Sequence, residues 1–411
     1  MARIVFTTIG SLGDLYPMLP VAARLRRHGH DLVFAVPESL AAPVTREGFS
    51  ASSTRMPELP GPSDSKNPEV QRAWIADRYP SMLRQAVVVL EAACAGADLI
   101  VTNQVQVASA IVGRKLGLKW VTLTVFPGFI PSRYTVPQPH WLPALPTPAG
   151  QAVNLLTWRI FEFGLRHMAG TAIPETVEAH GLAPDTDVFA PGALSPYLTL
   201  VLSSPAYSPL QPDWPAHIKV TGHSEWDEPH GWTDPAELDE FLNDQGDPAV
   251  LVVASSSKDR DSAAFFRSAA KALAQSRRRG LLIGRSADVI DQTSRMRAWP
   301  YLPLSRVASR CALVVHHSGI GTTITTTRHG RPAIAVPATF DQWYNASRVK
   351  ALGIGRVIEW KRFTAERLAA ELATIDRSPE YAERAQRLGA VIAAEDGAGA
   401  ACDEIESLLK S

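Results

Sequence analysis

The chain lacks an excess of either charge: lysine plus arginine number 41 and aspartate plus glutamate 41. No basic field exists to draw it to nucleic acid or anionic lipid, so its function is expected to be local. Cysteine is scarce. Cys94, Cys311 and Cys402 lie far apart with no C-x-x-C pair, so the spacing suggests neither a disulfide framework nor a zinc site, and a reducing cytoplasm is expected. No apolar run reaches the roughly 18 residues that a membrane span needs, which leaves only peripheral contact with lipid open. The apolar stretch up to Ile9 is too short for a signal peptide. The fingerprint G-x-G-x-x-G is missing, which counts against a nicotinamide dehydrogenase. Short repeats and low-complexity tracts are absent as well.

What is present is alternation of strand and helix. At 411 residues, 45% hydrophobic and 20% charged, the chain is a globular protein of two or three domains. Residues 3–9 read as a buried strand, a Gly/Ser turn follows, a helix spans Pro17 to His28 and a second strand runs from Asp31 to Val36. The pattern repeats at Asp98 to Thr102, 104–117 and Lys119 to Val125, so the first half is a parallel α/β domain. A helical pattern covers about 151–180. After a Pro-rich stretch over roughly 203–235 the alternation restarts: strand at Ala249 to Ala254, helix at 261–279, strand at Gly280 to Gly284, strand at Ala312 to His316, helix at about 320–329, strand at Ala333 to Val336, then helix from Gln342. From about Ala365 to Lys410 the composition is helical throughout.

The most informative stretch is His317-Ser318-Gly319-Ile320-Gly321-Thr322-Thr323 with Asp341-Gln342 some twenty residues on. A strand that turns through glycines into a helix start presents backbone N–H groups and the positive dipole end to an anion. His317 adds a donor there, and Asp341 and Gln342 supply groups of the kind that grip sugar hydroxyls. The opening turn Gly10-Ser11-Leu12-Gly13-Asp14 places Asp14 at the carboxyl end of the first strand, where open α/β sheets bind ligands. Asp14 also suits a plain helix N-cap before Pro17, and Asp341 an N-cap for the helix from Gln342. His316, on the opposite side of the strand from His317, suits a packed core histidine.

These motifs, in this order and together with Gly330-Arg331-Pro332, Pro337, Asp213-Trp214-Pro215 and Thr221-Gly222, resemble the GT-B nucleotide-sugar glycosyltransferases. The nearer likeness is to the bacterial branch acting on natural products, sterols and glycolipids, especially the glycopeptide-antibiotic enzymes. The likeness covers almost the whole chain. It implies two Rossmann-like domains facing across a cleft: residues 1–210 binding the acceptor, a linker at 211–240, residues 241–390 binding the nucleotide-sugar, and a final helix at 391–411 crossing back to the first domain. It implies inverting transfer of a hexose or deoxyhexose from a UDP- or TDP-sugar to a hydroxyl of a hydrophobic small molecule. Asp14 would be the general base. Ser11, Ser256, Tyr301, Leu302, His317, Gly319, Ile320, Gly321, Thr322, Asp341 and Gln342 would meet the donor.

The aromatics Phe126, Phe129, Tyr134 and Trp141 would line the acceptor pocket, or else pack on their own domain. No cofactor and no metal are implied. Asp185-Thr186-Asp187 and Asp259-Arg260-Asp261 imitate a D-x-D metal site but read as solvated loop charges. Two features depart from the pattern: Ser318 stands where the family has glycine, and Ala254-Ser255-Ser256-Ser257 replaces a Gly-Ser or Gly-Thr loop. Their extra Cβ atoms are expected to narrow the donor site or reshape its loop, leaving the sugar open. A nucleotide-sugar epimerase on the same fold, and a degenerate homologue that binds a partner or lipid without turnover, are the alternatives. Monomer and homodimer are both compatible.

Overall fold

The computed structural model describes residues 1–52, 55–58, 68–137, 144–188, 193–243, 248–254 and 262–411, with only the backbone described at 68–72, 74–75, 168–169 and 340. It divides into two units, Met1–Trp226 joined by Asp396–Ser411, and Asp227–Glu395.

The first unit is a parallel sheet of seven strands: β1 (Arg3–Thr7), β2 (Asp31–Ala35), β3 (Ser50–Ala51), β4 (Leu99–Asn103), β5 (Lys119–Thr124), β6 (Leu198–Val201) and β7 (Ile218–Val220), in the order β3-β2-β1-β4-β5-β6-β7. Both of its faces are covered, so its central strands are mostly apolar; every residue of β4 is buried, its polar Thr102 and Asn103 included. The alternation of β1 sorts its side chains. Ile4 and Phe6 join a core with Leu19, Phe34 and Leu200, and Val5 joins the opposite core with Ile100, Ile111 and Trp120. The last helix, Gly397–Lys410, adds Ala401, Cys402 and Ile405 to the first of these cores. Asp396 caps that helix by accepting from Gly399 N at 3.0 Å and pairs with Arg24 at 2.5 Å. Ile405 has no exposed surface, so Ile405→Ala would cost about 2–5 kcal/mol and loosen the returning helix.

The second unit holds β8 (Val250–Val253), β9 (Gly280–Ile283), β10 (Met296–Trp299), β11 (Leu313–His316), β12 (Ala333–Ala335) and β13 (Gly355–Val357), all parallel, in the order β10-β9-β8-β11-β12-β13. Counted from its own first strand, each sheet runs 3-2-1-4-5-6, the doubly wound order, with β7 added as a seventh strand at the far edge of the first. The strand sequence reverses between β1 and β4 in one unit and between β8 and β11 in the other. Ligands of such sheets bind at the carboxyl ends of those strand pairs.

Several elements differ from the sequence reading. The expected helix over 151–180 is two, Pro148–Ala169 and Ala172–Ala179, split at Gly170 with φ +58°. The helical tail is three helices, Ala365–Asp376, Glu380–Ala393 and Gly397–Lys410. The stretch 211–240 contains β7 and is divided between the units at Trp226. β6, β10, β13 and the long helix Pro68–Ala93 carry no clear periodic signal. Among the described residues, no helix is long and apolar enough to cross a membrane.

Candidate active site

In the first unit, β1 leads through Gly10 into a four-residue helix, Leu12–Leu15. The expected cap is corrected: Ser11, not Asp14, is the N-cap, and Asp14 occupies the third helical position of a capping box. Ser11 N donates to Asp14 Oδ2 at 2.9 Å and Ser11 Oγ to the same oxygen at 3.2 Å, while Ser11 Oγ accepts from Gly13 N at 3.2 Å. Gly10, at φ +115°, lies directly under the carboxylate; a Cβ there would stand 2.5 Å from Asp14 Oδ2. From the neighbouring strand β4 comes Asn103, whose Nδ2 donates to Ile9 O at 3.1 Å and reaches Asp14 Oδ1 at 3.5 Å. Burial pushes the Asp14 carboxyl above its ordinary value, and the Ser11 and Asn103 hydrogen bonds pull only partly against it. A half-buried, oriented and reluctant carboxylate at the switch point is suited to accept a proton.

In the second unit, β11 is buried along its length and delivers His316 and His317 to the start of the nine-residue helix Ile320–Arg328. His316 has no exposed surface, and its Nδ1 accepts from Ser318 N at 3.0 Å. Burial, and then the neighbouring His317, pull its pKa down to about 3. Asn345 Nδ2 donates to Ser318 O at 2.9 Å. One peptide unit on each side of Ser318 is thus gripped by a buried side chain, and the residue between them is held at φ +64°, a region a serine rarely occupies. Ser318 itself is fully buried with its Oγ unpartnered. The expectation that its Cβ narrows the donor site is corrected: the side chain points into the protein, and its influence is on the backbone.

That turn sets His317 over Gly319, where a Cβ would stand 2.5 Å from His317 Nε2. The helix has no side-chain cap from its own N-cap residue, Gly319. Asp341 takes that place from another helix, its Oδ2 accepting from Ile320 N at 3.3 Å and from Asn345 Nδ2 at 3.3 Å. The helix Phe340–Ala351 is capped by Thr339, so Asp341 is not its N-cap; Gln342 closes that capping box, its Oε1 accepting from Ala338 N at 2.9 Å and Thr339 N at 3.2 Å. His317 and Gln342 share a small pocket with Ala254, Phe265, Ala338 and Trp360. The amides of Gly321 and Thr322, in the first helical turn, have no partner within their helix.

Not every expected residue faces a ligand. Leu302 is 1% exposed within a core that includes Phe241 and Leu251, so only its backbone is available. Tyr301 is anchored through its hydroxyl to Asp227 O and stands edge-on to Trp232 at 5.4 Å. Phe126 is buried and packs edge-on to Phe129 at 5.5 Å, and Phe129 stacks on Phe161 at 6.0 Å, so these rings first serve their own unit. Tyr134 is exposed. Ser256, Trp141 and Asp259-Arg260-Asp261 lie outside the described residues, while Asp185 and Asp187 are exposed and Asp187 pairs with Arg166 at 2.7 Å. Sequence reasoning missed Asn103 and Asn345. A polar pair ending the buried strand Leu-Ile-Val-Thr-Asn, and an amide four residues after Asp341, were the signals available. It also missed the exposed side chains of Leu156, Ile160 and Phe163 on the helix Pro148–Ala169.

Two parallel doubly wound units, with an acid at one switch point and, at the other, a histidine beside a helix start covered by Asp341, make up a GT-B type of architecture. Residues 284–407 match the family model described as erythromycin biosynthesis protein CIII-like, C-terminal domain. O-mycaminosyltylonolide 6-deoxyallosyltransferase of Streptomyces fradiae is 30% identical over 98% of this chain and 97% of its own. Among solved structures, CalG4, the calicheamicin glycosyltransferase, superposes with a TM-score of 0.75 at 19% identity, covering 100% of this chain and 98% of that one. SsfS6 from Streptomyces sp. SF2575, solved with thymidine diphosphate, has a TM-score of 0.67 at 18% identity over 99% and 100% of the two chains. The chain belongs to the natural-product glycosyltransferases of GT-B fold, and it is a glycosyltransferase.

Proposed function

We propose that this enzyme transfers a hexose or deoxyhexose from a UDP- or TDP-sugar to a hydroxyl of a hydrophobic small molecule, with inversion and without a metal in the transfer step. The observation that carries the proposal is the Asp14 carboxylate, oriented by Ser11 and Asn103 and raised in pKa by burial. Asp14 takes the proton of the acceptor hydroxyl as that oxygen forms its bond to the anomeric carbon and the bond to the diphosphate breaks. Attack from the face opposite the leaving group inverts the carbon. A carboxylate whose pKa lies nearer the working pH is the stronger base, which suits a concerted transfer from an alcohol.

The leaving diphosphate gains charge as the bond breaks. His317 and the amides of Gly321 and Thr322, at the dipole end of the helix, stabilise that charge without a cation. Asp341 fills the same helix end through Ile320 N; a bound donor would exchange this carboxylate contact for phosphate oxygens and leave Asp341 to a sugar hydroxyl. Thymidine diphosphate in SsfS6 and the deoxyallose of the Streptomyces fradiae enzyme support a TDP-deoxysugar as the first donor to try.

The test is a transfer screen with UDP- and TDP-sugars against aromatic, steroid and macrolide acceptors, comparing wild type with Asp14→Asn. Transfer by wild type, with a product of opposite anomeric configuration and activity that survives chelator, is expected. Donor binding with no transfer to any acceptor would sink the reading, and release of an epimerised nucleotide-sugar would replace it.

A further inference from the structure

A second cluster of chemically active side chains stands in the first unit at the amino ends of its strands, where β2 begins, the end opposite the turn that carries Asp14. His28 and His30 flank the turn into β2, and Cys402 and Glu406 project from the helix Gly397–Lys410 four residues apart, hence from one face. His28 Nδ1 lies 2.9 Å from Glu406 Oε1 and 3.7 Å from Cys402 Sγ, and the ligand atoms of these three residues all lie within 4.8 Å of one another. A tetrahedral zinc ion with bonds of about 2.0 Å to nitrogen and oxygen and about 2.3 Å to sulfur has N···O and N···S edges of roughly 3.3 and 3.5 Å. The three side chains therefore stand close to coordination spacing before any ion arrives.

His30 has a different part. Its Nδ1 accepts from Ala2 N at 3.2 Å, so its neutral ring carries the proton on Nε2, which donates to Glu406 Oε1 at 3.2 Å. This is the outer hydrogen bond that aims a carboxylate ligand. The Cys402 side chain has no exposed surface, so its sulfur is held in place by the packing of the helix against the first core. An open groove of about 640 Å³, lined in part by His28, His30 and Glu406, gives an ion a way in and leaves room for water as fourth ligand.

We propose that His28, Cys402 and Glu406 bind a borderline divalent transition-metal ion, best matched by zinc, which fastens the returning C-terminal helix to the first unit. Nitrogen, sulfur and oxygen donors together suit zinc and disfavour magnesium or calcium. Coordination releases the thiol proton to solvent, while the proton between His28 Nδ1 and Glu406 moves to Nε2 of the same imidazole, which binds the ion as a neutral ligand. The ion's part is structural, and transfer at Asp14 does not depend on it.

Full-length enzyme, cleared of metal with chelator, would be titrated with zinc chloride alone by calorimetry and followed by thermal melting. Cobalt(II) would serve as a spectroscopic stand-in. Expected are one zinc per chain with a dissociation constant below about 10 µM, a raised melting temperature, and a near-ultraviolet thiolate-to-cobalt band that Cys402→Ser abolishes. Glu406→Gln should weaken zinc binding at least about tenfold, and His30→Ala about tenfold through the lost orienting bond. If Cys402→Ser does not fold, Glu406→Gln and His28→Gln, at partly exposed positions, carry the test. Absence of saturable binding at about 100 µM zinc, or binding that these variants leave unchanged, overturns the proposal.

Discussion

The two units build the same device twice and fill it with opposite chemistry. In each, a turn at the switch point has a glycine lying directly beneath a functional side chain: Gly10 under Asp14, Gly319 under His317. A Cβ added to either glycine would stand the same 2.5 Å from the side chain above it. In the first unit the helix start is closed by its own residues, since Ser11 and Asp14 satisfy one another. In the second the helix start has no cap of its own and borrows Asp341 from a neighbouring helix. A helix end sealed by its own carboxylate offers no anion site but holds that carboxylate still; one covered by a displaceable carboxylate offers the anion site itself. On the proposed function, one topology yields a proton acceptor and a phosphate binder, according to where the acid sits.

The substitution with the largest expected effect attacks the first half of that contrast. Asp14→Asn should lower transfer by about 10²–10⁴-fold, while nucleotide affinity, measured by calorimetry, stays unchanged. Stability should move the other way. Because the folded carboxyl has a raised pKa, the folded protein takes up its proton at higher pH than the unfolded chain does. Its contribution to stability is therefore present at low pH and lost as pH rises through the folded pKa. Urea melts should show Asp14→Asn more stable than wild type at neutral pH, with the gain shrinking on acidification. Full transfer by the variant would mean that the turn only caps a helix, and the two units would no longer differ in kind.

The second half is broken at Gly319. Gly319→Ala drives the imidazole off its seat, and UDP or TDP affinity should fall about 10–100-fold, matching His317→Ala, as expected for a lost charge-assisted hydrogen bond. Gly321→Ala separates the imidazole from the amides, because nothing of the protein lies within 4 Å of a Cβ there, so His317 keeps its seat. Equal affinity for all three proteins would remove His317 from the phosphate site.

His316 sharpens the contrast by pH. With its folded pKa at about 3 against about 6.5 unfolded, the unfolded chain binds a proton between these values that the folded chain refuses. Stability is therefore complete above about pH 6.5 and declines as pH falls toward 3. His316→Asn keeps an acceptor for Ser318 N without titrating, and its stability should decline less over that window in denaturant melts. An identical slope in both proteins would show that the titration lies elsewhere.

Much of this was legible in the chain. The two parallel α/β halves followed from apolar runs separated by glycine turns, His317 and Asp14 from their places after strands, and Asp341 from its pairing with Gln342 some twenty residues after His317. What escaped depends on contacts between distant segments. Asn103 is merely the last residue of a buried strand until β4 pairs with β1, and Asn345 matters because its amide reaches Ser318 O. Cys402 looked isolated because spacing cannot show that His28 will stand 3.7 Å away. The roles of Asp341 and Gln342 as caps for Ile320 N and for residues 338 and 339 were hidden likewise, since a cap taken from another helix leaves no local sequence mark.

The smallest expected effect bears on Ser318, a place where the second unit departs from its own design. Its backbone sits at φ +64°, costing a residue with a Cβ about 1 kcal/mol relative to glycine, and its buried hydroxyl has no partner. His316 and Asn345 offset this by holding the peptide N–H and C=O on its two sides. Ser318→Gly should therefore stabilise the enzyme by about 1 kcal/mol in denaturant melts, with nucleotide affinity unchanged. The same substitution should also restore part of the affinity lost by His316→Ala, because glycine keeps the left-handed turn without being held. If Ser318→Gly rescues nothing, the grip of His316 on the Ser318 amide is packing alone, and the turn that seats His317 is set by Gly319 and the helix that follows it.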